Sequence, residues 1–175
     1  MRRTSLAIVA LLAFSFSAVA QTKHYEAPAF TADFPAQDEI KYVEQAEKDG
    51  NNNPIMVDTY TQRFEQGAGF SEIGYYASNH ALEWDPDKSV QGQLSGCTSR
   101  GKVSDFELTP AKIGYIDGQQ LKFVCTAETE HKVVYVVSRV AFLAPGTLWV
   151  VSWMTSTDQP ARAAAFLDSI VVKRR

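Results

Sequence analysis

The chain has 175 residues, of which 45% are hydrophobic and 21% charged, and this ordinary balance excludes an intrinsically disordered protein. Its 17 Lys and Arg against 20 Asp and Glu give a net charge of −3. An acidic chain without a basic cluster argues against nucleic acid as a partner and against docking on an anionic membrane surface.

The N-terminus has the order of a secretory signal peptide. Arg2-Arg3 precedes the apolar run Leu6–Phe14, and the small residues Ala18–Ala20 end the segment. The run is shorter than the roughly 20 apolar residues that span a bilayer, so we predict cleavage of Met1–Ala20 instead of a retained anchor. The arginine pair leaves the twin-arginine export route open beside the general one. We expect an exported protein, periplasmic or extracellular, with no membrane span after signal cleavage.

The first half of the mature chain predicts a short leader and a group of strands. Residues 21–27 are polar and are expected to be mobile, whereas 28–175 are expected to form a single globular domain. Alternating apolar residues predict strands at Phe30–Pro35, Met56–Phe64 and Phe70–Ser78, the last two as a hairpin. The stretch Asp38–Asn53 is polar and ends in a turn signal, so no element is predicted there.

A helix is predicted after Asp85, which is a good N-cap and is followed by Pro86. Three apolar residues follow at the spacing of one helical stripe: Val90, Leu94 and Cys97. Gly92 and Gly96 each destabilise a helix by roughly 1 kcal/mol relative to Ala. We therefore expect this helix to approach a sheet closely at its glycines.

The second half predicts further strands and a closing helix. The strands are expected at Lys102–Leu108, Gln119–Ala127, Val133–Phe142 and Leu148–Met154, with turns at Asp117-Gly118 and Ala144–Gly146. Asp158 or Gln159 should cap a final helix that buries Ala164, Phe166, Leu167 and Ile170. This order predicts an α+β fold, a mainly antiparallel sheet with a middle and a C-terminal helix packed against it.

Two cysteines, Cys97 and Cys125, remain in the mature chain. Cys97 lies on the apolar stripe of the middle helix, and Cys125 shares the apolar face of its strand with Leu121 and Phe123. An exported chain meets an oxidising compartment. We therefore predict a Cys97–Cys125 disulfide that joins the helix to the sheet.

The layout also resembles known proteins. It contains an early Phe-x-x-x-Phe-Pro strand (Phe30–Pro35), a Tyr-rich hairpin, a middle helix, a Leu-Trp-x-Val strand and a closing Phe-Leu-Asp-Ser-Ile helix (Phe166–Ile170). Together these features resemble small secreted bacterial proteins of uncharacterised function, and the same order resembles the PsbP-like α/β/α sandwich. The resemblance rests on packing positions and turns over most of residues 28–172, so it implies a fold and not a function.

Candidate functional residues are few. Glu128, Glu130 and His131 form a polar corner that is either solvated or, with a further ligand from elsewhere, a metal site. Trp84, Tyr75 and Tyr76 either fill the core or line a ligand or partner surface.

The sequence shows no Gly-x-Ser-x-Gly, Cys-x-x-Cys or phosphate-binding loop, so we predict neither a catalytic residue nor a cofactor. The leading hypothesis is a non-catalytic envelope protein that binds an unknown partner protein or a small apolar ligand. The alternatives are an enzyme whose catalytic residues are scattered in sequence, with His80 or His131 beside a carboxylate, and a metal-handling protein.

Overall fold

A computed structural model describes residues 22–35, 38–49, 51–65, 68–78, 84–128 and 132–174. The elements of these residues are, in chain order, β1 (Thr22–Glu26), β2 (Phe30–Pro35), β3 (Lys41–Lys48), β4 (Pro54–Phe64), β5 (Gly69–Ala77), α1 (Pro86–Thr98), β6 (Gly101–Ile113), β7 (Ile116–Ala127), β8 (Val133–Leu143), β9 (Thr147–Thr155), α2 (Pro160–Asp168) and β10 (Val171–Val172). The predicted signal peptide lies outside the described residues.

The strands form two antiparallel sheets. Three strands pair in the order β1-β2-β10, and seven pair in the order β3-β4-β5-β9-β8-β7-β6. Strands account for 61% of the described residues, and the two helices are short. The predicted α+β class is therefore wrong, and the architecture is a mostly β sandwich. The prediction failed because periodicity identified both helices but missed three strands and shortened others.

A large hydrophobic core fills the space between the two sheets and under α2. Its largest fully buried side chains are Trp149, Phe30, Phe34, Phe64 and Ile73. Alternation along β9 decides which residues reach it, because successive side chains of a strand point to opposite faces. Trp149, Val151 and Trp153 are buried in this core. The intervening side chains of β9 therefore face the other side of the seven-stranded sheet.

On that other side, α1 packs on β6 and β7 over a smaller core. Cys97, Leu121, Phe123 and Val136 are buried there, with Val90 and Leu94 packed against them. The predicted disulfide is confirmed: Cys97 and Cys125 are bonded, with their Cα atoms 5.7 Å apart.

Two polar segments form strands that the sequence did not predict. Thr22–Glu26, expected to belong to a mobile leader, pairs with β2 as β1, and the ring of Tyr25 lies 5.9 Å from that of Phe34. Lys41–Lys48 pairs with β4 as β3, although all eight of its side chains are exposed. A strand without a buried face has no reason to alternate, so its sequence carries no periodic signal.

The turn between β6 and β7 differs from its predicted position. The chain reverses at Gly114-Tyr115, where Gly114 has a φ of +58°. Gly118 instead lies inside β7, where a Cβ atom would stand 2.1 Å from the carbonyl oxygen of Val140. Glycine is therefore required at position 118 by the close approach of β8, and not by a turn.

Both helices begin where they were predicted, but α2 buries one residue that was not expected. α1 begins at Pro86 after Asp85, and α2 begins at Pro160 after Gln159, which makes no side-chain capping bond. In α2, Ala164 was expected to be buried but is exposed, and Ala163 is buried instead. Within the part of the chain described, neither helix has the length and apolar character needed to cross a membrane.

Candidate functional site

Helix α1 is fixed at both of its ends. The Asp85 carboxylate accepts hydrogen bonds from the backbone N–H groups of Asp87 at 3.0 Å and Lys88 at 3.2 Å, which satisfies two free donors of the first turn. Near the other end, the disulfide holds Cys97 to β7. The helix consequently forms a fixed wall beside the outer face of the seven-stranded sheet.

Between this wall and the sheet lies a cavity of about 760 Å³, which we call the α1 groove. Its volume is in the range of roughly 300–1,000 Å³ that is typical of small-molecule sites. The helix lines it with Ser89, Gly92, Gln93 and Gly96. These residues follow the spacing i, i+3, i+4, i+7, so they form one stripe of α1, roughly 10 Å long at 1.5 Å per residue. This stripe lies beside the apolar stripe that packs on the sheet.

The two glycines of α1 do not meet the sheet. A Cβ atom placed on Gly92 or on Gly96 would have no neighbouring atom within 4 Å. The prediction that close packing explains these glycines is therefore wrong. Both residues line the groove, and their missing side chains widen it.

The floor of the groove is largely apolar. It is formed by side chains of β7, β8 and β9 that alternate with those facing the main core: Phe123, Val134, Val136, Val140, Leu148, Val150 and Met154. In register, Val136 pairs with Met154 and Val140 with Val150. Four of these side chains, Val134, Leu148, Val150 and Met154, stay partly exposed in the cleft, which favours a ligand that removes them from water.

A polar group of residues interrupts this floor where β5 meets β9. Glu72 of β5 pairs in register with Ser152 of β9, and both line the groove. Tyr76 lies on the same face of β5, and its ring approaches Gly74. A Cβ atom added to Gly74 would stand 3.2 Å from Tyr76 Cε2. The side chains of Glu72 and Tyr76 therefore lie on the same face of β5, one on each side of Gly74 along the strand, and Glu72 is the one paired with Ser152.

Burial shifts the pKa values of the two ionisable side chains here, Glu72 and Tyr76. Desolvation of the half-buried carboxyl raises the pKa of Glu72 above its ordinary value, because a charge is disfavoured away from water. The pKa of Tyr76 is also raised, first by burial and then by the negative charge of Glu72. Among the described residues, no ion pair or hydrogen bond compensates the Glu72 carboxylate.

The hydrogen bonds of Ser138 and Ser152 determine whether the polar side chains at this point of the groove donate or accept. Ser138 Oγ donates to the carbonyl oxygen of Val151 at 3.1 Å, and it also lies 3.1 Å from Ser152 Oγ. A hydroxyl has one hydrogen, so when Ser138 donates to Val151, Ser152 is the donor to Ser138 and keeps its lone pairs free. Glu72 and Ser152 consequently present acceptors to the groove.

Gln93 supplies the polar group on the helix side. Its Nε2 atom is buried and has no hydrogen-bond partner among the described residues. Arg100 lines the groove just beyond the C-terminal end of α1 and is exposed there.

The three aromatic residues considered for the core or for a ligand surface do not all lie on one face of the sheet. Tyr75 and Tyr76 are neighbours in β5 and point to opposite faces, so Tyr75 is buried in the main core, with its ring centroid 4.6 Å from that of Trp149. Tyr76 lines the α1 groove. Trp84 stacks on Phe142 at 5.6 Å and lines a separate cavity.

That separate cavity adjoins the groove. Ser89 and Leu148 line both spaces. Trp84 Nε1 donates a hydrogen bond to Ser89 Oγ at 2.8 Å, which fixes the indole at this junction. Of the predicted residues, Tyr76 and Trp84 thus lie on the same side of the sheet, and Tyr75 does not.

The predicted metal corner is only partly described. Glu128 is exposed just after β7, whereas Glu130 and His131 lie outside the described residues. In the described ranges, no group of three His, Cys, Asp or Glu side chains is arranged to hold a metal ion. His80 also lies outside them, and His24 pairs with Asp33 at 2.7 Å on the exposed side of β1 and β2.

Comparisons with known proteins add a likeness to solved structures. No protein-family model and no curated protein matches this chain. Among solved structures, it is similar to LpqN of Mycobacterium tuberculosis, described as involved in cell envelope biogenesis. The TM-score is 0.44 with 11% sequence identity, over 88% of this chain and 91% of that one. A TM-score of this size establishes neither a shared fold nor a shared function, and the PsbP-like resemblance stays a prediction.

Proposed function

We propose that this chain is an exported, non-catalytic accessory protein of the cell envelope that binds a small, largely apolar molecule in the α1 groove. The observation that carries the proposal is an open apolar groove beside a helix whose two glycines leave empty space where their side chains would be. Export is supported by the predicted signal peptide and by the disulfide, since disulfides persist in oxidising compartments.

The groove favours a small molecule over a partner protein as its occupant. Its apolar floor is recessed beside α1, whereas protein interfaces commonly bury about 800 Å² on each partner across a broad patch. A recessed apolar cleft with a few polar groups is the usual form of a ligand site.

The experiment fills the groove and measures binding of an apolar probe. The probe is 1-N-phenylnaphthylamine, whose fluorescence rises when it leaves water. Leucine side chains introduced by Gly92→Leu and Gly96→Leu together would occupy the space that the glycines leave open. We expect this double variant to bind the probe at least about tenfold more weakly than the wild type.

The matched control is Gln91→Leu, which adds a leucine to the same helix at an exposed residue that does not line the groove. It should bind the probe like the wild type. Loss of folding would not explain a weaker double variant, because both replacements raise helix propensity, and circular dichroism would verify the fold. Unchanged probe binding by the double variant would refute the proposal.

A further inference from the structure

The carboxylate of Glu72 bears on the charge of a ligand in the groove. Glu72 is half-buried beside apolar side chains, and no cation pairs with it among the described residues. Buried carboxylates are normally paired or hydrogen-bonded, because an isolated buried charge is unfavourable. A carboxylate left in this condition is complementary to a ligand that carries the missing positive charge.

The neighbouring hydroxyls reinforce this preference. When Ser138 donates to the Val151 carbonyl, Ser152 donates to Ser138 and can only accept toward the groove. Tyr76 lines the same groove on the face of β5 that carries Glu72, and its phenolic oxygen can also accept. A primary ammonium group has three N–H donors and no acceptor, which matches this set of oxygens.

We propose that the ligand of the α1 groove is an aliphatic amine, with its protonated amino group bound at Glu72 and Ser152 and its hydrocarbon chain on the floor of β8 and β9. The inference rests on the proposed function, because it assigns the head group of a ligand in the same groove. The negative charge of the whole chain also favours the approach of a cation over an anion.

A carboxylate head group does not suit this position. It would bring a second negative charge beside Glu72, and two like charges at close range in a partly desolvated site repel strongly. A neutral alcohol would donate one hydrogen bond and leave the charge of Glu72 uncompensated. The order of affinity should therefore be amine, then alcohol, then carboxylate.

The test uses three ligands with the same ten-carbon chain, decylamine, decanol and decanoate, each below its micelle concentration. Each competes with 1-N-phenylnaphthylamine for the full mature chain at pH 7 and low salt. We expect decylamine to bind about tenfold or more tightly than decanol, as suits a charge-assisted contact. Glu72→Gln should remove this advantage and leave the affinity for decanol unchanged. Glu107→Gln, which neutralises an exposed carboxylate of β6, should change neither affinity.

The outcomes separate the two proposals. Equal affinities for decylamine and decanol, stronger binding of decanoate, or an unaltered preference in Glu72→Gln would overturn the amine assignment while the groove remains a binding site. Failure of all three ligands to displace the probe, together with unchanged probe binding in the leucine double variant, would overturn both the assignment and the proposed function.

Discussion

The disulfide should supply a large part of the stability of this protein. Cys97 and Cys125 are separated by 28 residues, so their bond closes a long loop from α1 through β6 into β7. In the chain-entropy description, a loop of this length restricts the unfolded state by about 3.6 kcal/mol at 25 °C. Replacing both cysteines by alanine should lower the free energy of unfolding by about that amount, and the melting temperature by roughly 7–14 °C for a chain of this size.

Urea denaturation of the wild type and of the Cys97→Ala/Cys125→Ala variant would measure this difference. The wild type treated with a reducing agent is the matched control, and it should unfold at the midpoint of the double variant. The variant should also bind the apolar probe more weakly, because α1 loses its covalent attachment to β7. A loss of less than about 1 kcal/mol would contradict the reasoning, since it would mean that the bond barely restricts the unfolded chain.

Two further predictions concern single residues. Glu72→Gln should raise the melting temperature above pH 7 and should have little effect below pH 4. Burial raises the pKa of Glu72 in the folded state above its ordinary value of 4.5, so the folded state loses stability as the pH rises from that value through the folded-state pKa. An equal change of the melting temperature at both pH values would exclude burial as the cause. Gly118→Ala should destabilise the protein, because its Cβ would clash with the carbonyl oxygen of Val140, whereas Gly92→Ala should stabilise it by up to about 1 kcal/mol. Urea midpoints that moved in the same direction for both variants would contradict this contrast.

The sequence predicted the strands that have one buried face. β4, β5 and β9 bury alternate residues, such as Trp149 and Trp153, so their periodicity is visible without a structure. β3 buries none of its side chains and shows no periodicity. The turn after β6 was misplaced because Asp117-Gly118 has turn chemistry, whereas Gly118 is selected by its contact with β8, a long-range effect that local sequence does not contain.

The candidate site was predictable only in part. Tyr76 was named as a candidate, but its grouping with Tyr75 ignored the rule that adjacent strand residues face opposite ways. The same rule identifies Glu72, which lies four residues before Tyr76 in β5 and therefore on its face. A charged residue on that face was the available signal. Its meeting with Ser152 depends on the pairing of β5 with β9, which are far apart in sequence.

The glycines of α1 connect the stability of the fold to the proposed function. Gly92 and Gly96 together destabilise the helix by roughly 2 kcal/mol relative to alanine. A structural reason for keeping them would be close packing, and the open space around both positions removes that reason. The stability of α1 comes instead from Asp85, from the disulfide and from the stripe that packs on β6 and β7. Gly92 and Gly96 therefore have no packing role, and alanine or a larger residue at either position would narrow the groove that the proposed ligand enters.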